Sequence, residues 1–203
     1  MKKTLFLTLI FSNLIFSQNI DFEGFMNFSY SNNSGEIHLE VNNLDKEFLY
    51  INSLSRGIGN NDLGLDRGQL GNTRIVFFTK RGNKILMVQP NTRYVSNSDN
   101  YLENKAVEEA FARSVLFSFE IIEEKNNNYI IDLTPLLMND AHGVSQRLRF
   151  SNSGNYSLNK SMSAIELDRT KAFPKNIEFD VILTFTGNPM GNLVRSVTPT
   201  ASN

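Results

Sequence analysis

The sequence predicts an α+β fold in which antiparallel hairpins dominate and one main helix is added. Three observations predict it. Runs of β-branched and aromatic residues alternate with polar ones over short stretches, clusters of Asn and Gly separate those runs in pairs, and the segment 103–117 changes to a helical period. The chain has 203 residues, enough to bury most of its apolar surface in one domain without disulfide or metal staples.

Lys2 and Lys3 precede an uncharged, mostly apolar run over residues 4–16, followed by Ser17, Gln18 and Asn19. This is the charged start, apolar middle and polar exit of a secretory signal peptide. The run is shorter than the roughly 20 residues a membrane span needs, and Asn13 interrupts it. The expected organisation is a signal peptide over 1–18 and a single β-rich domain over 19–203. The expected location is outside the cytoplasm: periplasmic, outer-membrane-associated or extracellular, with no stable membrane span after cleavage.

Phe25, Asn27 and Tyr30, then Ile37, Leu39 and Val41, mark two short strands around the polar turn cluster 31–35, whose Asn and Gly suit positive φ. Residues 47–54 (EFLYINSL) read as a third strand. Residues 74–80 and 84–89 (RIVFFTK and KILMVQ) form a hairpin around Arg81, Gly82 and Asn83. Over 103–117, Val107, Ala110, Phe111, Ser114 and Val115 share one helical face, which predicts the main amphipathic helix. Residues 119–122 and 129–133 flank three asparagines and read as another hairpin. Pro135 suits the first turn of a short helix near 135–141. Residues 164–167, 177–185 and 193–197 supply the last strands, with Ile177, Phe179, Val181, Leu183 and Phe185 alternating.

The composition narrows the chemistry. Lys+Arg 20 against Asp+Glu 21 gives a formal charge of -1, so no basic field favours nucleic acid or anionic lipid. The absence of cysteine removes disulfide frameworks, Cys-ligated zinc or iron–sulfur sites, thiol nucleophiles and a lipid-modified N-terminal Cys. The two histidines, His38 and His142, belong to no H-x-x-x-H pair. His38 falls on the polar side of a strand pattern and is expected to face solvent. His142 follows Asp140, a neighbour that suits a general-base pair in a small hydrolase, yet Gly143 equally suits a structural turn at a helix end. The acids Glu108–Glu109 and Glu123–Glu124 are adjacent in sequence and diverge, so they are no acid/base dyad. No G-x-S-x-G surrounds Ser145.

Residues 57–71, GIGNNDLGLDRGQLG, are the most unusual stretch, with five glycines around Asp62, Asp66 and Arg67. Those three side chains are the candidate ligand-binding residues of a peptide- or glycan-binding loop. The stretch lacks both the Gly-Lys-Ser/Thr of a phosphate loop and the spaced acids of a calcium hand, and an ordered Ω-type loop needs glycines for backbone reasons alone.

Four blocks carry a resemblance: NNLDKEFLYINSLSRGIGNNDLGLDRGQLGNTRIVFF, AVEEAFARSVLFSFEI, DLTPLLMNDAHGV, and FPKNIEFDVILTFTG with VRSVTPT. In order and content they resemble the N-terminal domain, itself of unknown function, of a family of large secreted zinc-dependent metalloproteases from Bacteroidetes-type bacteria. The resemblance spans residues 23 to 199. It implies an accessory domain placed before a catalytic domain whose H-E-x-x-H-x-x-G-x-x-H helix binds zinc through its histidines and uses the Glu as general base. This chain contains no H-E-x-x-H, so no catalytic or zinc-binding residue carries over, and no cofactor is expected in it. It ends where family members continue, which suggests a fragment, a truncated product or a freestanding copy. The implied partners are a protease domain of the same or a longer chain and a peptide substrate.

Overall fold

The computed structural model describes residues 19–197, so the expected signal peptide, residues 1–18, lies outside the described residues. The fold is α+β and mostly antiparallel. Strands β1 (Ile20–Phe22), β2 (Phe28–Tyr30), β3 (Ile37–Val41), β4 (Phe48–Tyr50), β5 (Arg74–Arg81), β6 (Lys84–Gln89), β7 (Ser114–Lys125) and β8 (Asn128–Asp132) form one sheet, in the order β1-β2-β3-β8-β7-β6-β5-β4. The turns fix the hairpins. Gly82 at φ 62 turns β5 into β6, and Asn126 and Asn127, both at positive φ, turn β7 into β8 as the twist of paired strands requires.

Alternation then sorts the side chains between two faces. Val76, Phe78, Ile85, Met87, Phe119 and Ile131 point to the inner face and are buried. Each buried aliphatic side chain contributes about 1.5–3 kcal/mol of hydrophobic stabilisation. A second layer closes this face. It is a long antiparallel ribbon of β9 (Gly154–Ile165) and β12 (Val181–Pro189), with a small pair β10 (Lys171–Ala172) and β11 (Ile177–Glu178) between them. From it Ile165, Ile177, Phe179, Val181 and Leu183 pack on the sheet. The sheet curls around this filling: Phe25, beside edge strand β1, reaches Phe48 on the opposite edge strand β4, with ring centroids 6.3 Å apart. Gly24 lets the chain pass, since a Cβ there would lie 2.7 Å from the Phe173 carbonyl oxygen.

Among the described residues, four α-helices complete the fold: α1 (Tyr101–Ala110), α2 (Thr134–Leu137), α3 (Val144–Phe150) and α4 (Gly191–Arg195). Pro135 stands in the first turn of α2, as its fixed φ suits. Several expectations are corrected. The main helix ends at Ala110 rather than Phe117, because Val115 and Phe117 are drawn into β7 by pairing with Val88 and Met87 of β6. Residues 193–197 are not a strand but fall largely in α4, where Val194 is buried against Leu63 and Leu148 in a small second core. The short helix near 135–141 closes at Leu137, and α3 follows as a separate helix. The third strand shrinks to Phe48–Tyr50, and the strand expected at 164–167 is the end of β9.

Candidate functional site

The glycine-rich loop 57–71 is tied down at its neck, middle and tip. At the neck, Gly68 N–H bonds the Leu54 carbonyl at 2.7 Å and Gly71 N–H bonds the Asn52 carbonyl at 2.7 Å. Ser55 Oγ donates to Asp180 Oδ1 at 3.0 Å, and Arg56 pairs with Glu166 at 3.2 Å, joining the loop's entry to the second layer. Asn60 caps a single 3-10 turn, Asn61–Leu63, by accepting from Asp62 N–H, and its amide donates to the Leu193 carbonyl at 2.9 Å. Leu63 is buried in the second core and Leu65 is buried beside it in sequence. At Gly57 a Cβ would meet the Arg67 backbone nitrogen at 2.8 Å, so this glycine serves a close backbone approach.

Asp62, Asp66 and Arg67 lie on the exposed side of this loop. Asp62 is in the first turn of the 3-10 segment, while Asp66 and Arg67 follow the buried Leu65. Their side chains form no hydrogen bond or ion pair among the described residues, and none of them lines the groove at 89–94 and 110–114 or the one at Asp140, Arg149 and Tyr156. The structure does not gather the three into one cleft.

His38 lies on the outer face of β3, with Nε2 3.4 Å from Glu36 Oε2. Asp140 does not orient His142. Its two carboxylate oxygens accept from Val144 N–H at 2.7 Å and Ser145 N–H at 3.0 Å, satisfying the free amides that open α3. His142 Nε2 is buried without a partner among the described residues. The adjacent acids diverge: Glu109 pairs with Lys105, Glu108 with Arg113, and Glu124 with Lys80. Among the described residues no three His, Cys, Asp or Glu side chains come together to hold a metal ion.

The surface with interaction chemistry lies elsewhere, on the excursion between β6 and β7. Helix α1 has no buried residue, although Asn100 caps it through a bond from Leu102 N–H at 2.9 Å. Its own Tyr101 and Leu102 are exposed, as are Tyr94 and Val95 before it in the chain and Val115 after it. Val115 is on the outer face of the sheet, which also exposes Leu49 (71%) and its register partner Ile75. Between the chain leaving β6 and the turn after α1 is a groove of about 430 Å³, lined by Pro90, Thr92, Arg93, Tyr94, Phe111 and Ser114 among others. Tyr94 stacks on Phe111 with centroids 4.1 Å apart, bracing the two walls. The signal for this site in the sequence is the arginine and aromatic residues at 93–94 and 111, but residues 90–100 carry no motif and Phe111 fits the helical face of 103–117.

The family model described as Domain of unknown function (DUF5117) matches residues 68–202. The match takes in β5 to α4 and therefore the whole groove, while Asp62, Asp66 and Arg67 lie before it. No curated protein and no solved structure matches the chain.

Proposed function

The chain belongs to the DUF5117 family, and from that premise we propose that it is an exported, non-catalytic accessory domain of a secreted zinc-dependent metalloprotease, packing on the protease domain and helping to present its substrate. The ordered sequence blocks over residues 23–199 support the link to the protease family. The observation that carries the packing role is the excursion 90–113. A helix that buries none of its residues and exposes its own Tyr101 and Leu102, preceded in the chain by exposed Tyr94 and Val95, offers apolar area of the kind that marks contact with another protein. In this reading zinc and the general base belong to the protease domain, and this domain supplies shape and contact area. The leader at residues 1–18 would send it out of the cytoplasm.

The test is sedimentation of the full chain mixed with the H-E-x-x-H catalytic domain of a protease from that family. A complex that is lost in the double variant Val95→Asp, Leu102→Asp supports the proposal. Absence of any complex, or a complex indifferent to both substitutions, contradicts it. A second reading, a secreted peptide-binding module, is favoured by the groove at Arg93, Tyr94 and Phe111 rather than by the loop 57–71.

A further inference from the structure

We propose that the groove between β6 and α1 binds a short extended peptide carrying a carboxylate side chain next to an apolar one. The proposal rests on the second reading, a peptide-binding module, and deepens it by naming the chemistry of the ligand; it is independent of the protease association.

The groove is preformed. Asn91 organises one wall: its Oδ1 accepts from Arg93 N–H at 3.1 Å and Tyr94 N–H at 3.2 Å, and its Nδ2 donates to the Tyr94 carbonyl at 3.0 Å. The floor is pinned where Gln89 Oε1 accepts from Arg74 Nη1 at 2.6 Å. The Tyr94–Phe111 stack joins this wall to the other. Little ordering is therefore left for a ligand to induce, and binding to such a site loses less entropy. It is an open depression of about 430 Å³, which leaves room for an extended segment to lie across it.

The lining selects the chemistry. Arg93 has no carboxylate within ion-pair distance among the described residues; its guanidinium lies 5.5 Å from the Tyr94 ring centroid. Of the other arginines nearby, Arg113 is already paired with Glu108 and Arg74 is held by Gln89 Oε1. Arg93 is thus the cation left to receive an incoming carboxylate, and its planar fork binds one in two parallel bonds. Beside it Phe111 is flanked by Ala110 and Ala112, whose small side chains leave the ring as the apolar contact. Tyr94 has one face stacked on Phe111 and the Arg93 guanidinium near its ring, so the charge of Arg93 and the apolar Phe111 lie side by side, as an acidic residue next to an apolar one in a peptide would require. Aromatic residues and arginine around one groove are the composition that dominates binding energy at protein interfaces.

The test is an NMR titration of the full chain with two probes, acetyl-Leu-Glu-Leu-Glu-amide and acetyl-Leu-Gln-Leu-Gln-amide. The expected result is that amide shifts concentrate at 89–94 and 110–114, with the glutamate peptide binding about threefold to fivefold more tightly than the glutamine peptide, the worth of one exposed ion pair. Arg93→Gln, an exposed substitution, should abolish that preference, and Phe111→Ala should weaken both peptides. No shifts in the groove at millimolar glutamate peptide, or a preference that survives Arg93→Gln, would overturn the proposal. Because no protease is present, either outcome leaves the accessory-domain reading separately testable.

Discussion

Arg147 on α3 donates from Nη1 to the carbonyl oxygen of Gly64, 83 positions earlier in the chain. The bond depends on the backbone at the Gly64 end. Gly64 is in the left-handed region at φ 61, which turns its carbonyl toward α3, and a Cβ there would lie 2.7 Å from Arg147 Nη1. The loop 57–71 is held to the second core by this contact together with Leu63.

Arg147→Ala leaves the Gly64 carbonyl without its partner. The expected cost is about 1–3 kcal/mol, the penalty for an unsatisfied polar group, confined to the loop and the second core. Hydrogen exchange should accelerate at 57–71 while β3, β8 and β7 stay protected. Uniform acceleration across the sheet would show that the loop is not a separate unit.

Asp140→Ala removes the carboxylate that accepts from two α3 amides. The loss should be about 1–2 kcal/mol by urea denaturation, as for other helix N-terminal caps. Asp140→Asn, which keeps one acceptor, should fall between wild type and Asp140→Ala. Equal stability of all three would mean that α3 does not need the cap.

Ile131→Ala opens a cavity at a fully buried site on the central strand β8, whereas Leu49 is 71% exposed on edge strand β4. The first should cost about 2–5 kcal/mol and Leu49→Ala within about 0.5 kcal/mol. Thermal denaturation of the two variants checks which face of the sheet holds the core.

Two groups predict a loss of stability in alkali. Burial of the edge-strand ring raises the Tyr50 phenol above its ordinary pKa, against the pull of Arg74. The unfolded chain therefore loses this proton first, above about pH 10, and the folded state loses stability as pH rises further. Lys80 is also raised, chiefly by its hydrogen bond to Glu124, so its contribution is complete below its ordinary value and lost as pH rises through the raised one. Urea midpoints should fall above about pH 10, and less steeply in Tyr50→Phe. An identical slope in that variant would remove Tyr50 from the account.

The hairpins were legible because local chemistry decides them. Gly82 and the asparagines at 126–127 mark turns whose strands pair with their sequence neighbours. The end of α1 was not legible, since Val115 and Phe117 fit the helical period and only pairing with β6 makes them strand. The nearly whole length of β9 was missed because its sequence, GNYSLNKSMSAI, is largely polar on a half-exposed ribbon. In the candidate site, the glycines of 57–71 were visible, but the sequence could not show that they serve loop closure. Nor could it show that Tyr94 and Phe111, 17 residues apart by number, meet as a stack.

The measurement that tests the central claim most directly is zinc content together with casein hydrolysis by the purified full chain, before and after chelation. A non-catalytic accessory domain predicts no stoichiometric zinc and no chelator-sensitive hydrolysis. Stoichiometric zinc with hydrolysis that chelation abolishes and His142→Ala removes would contradict it.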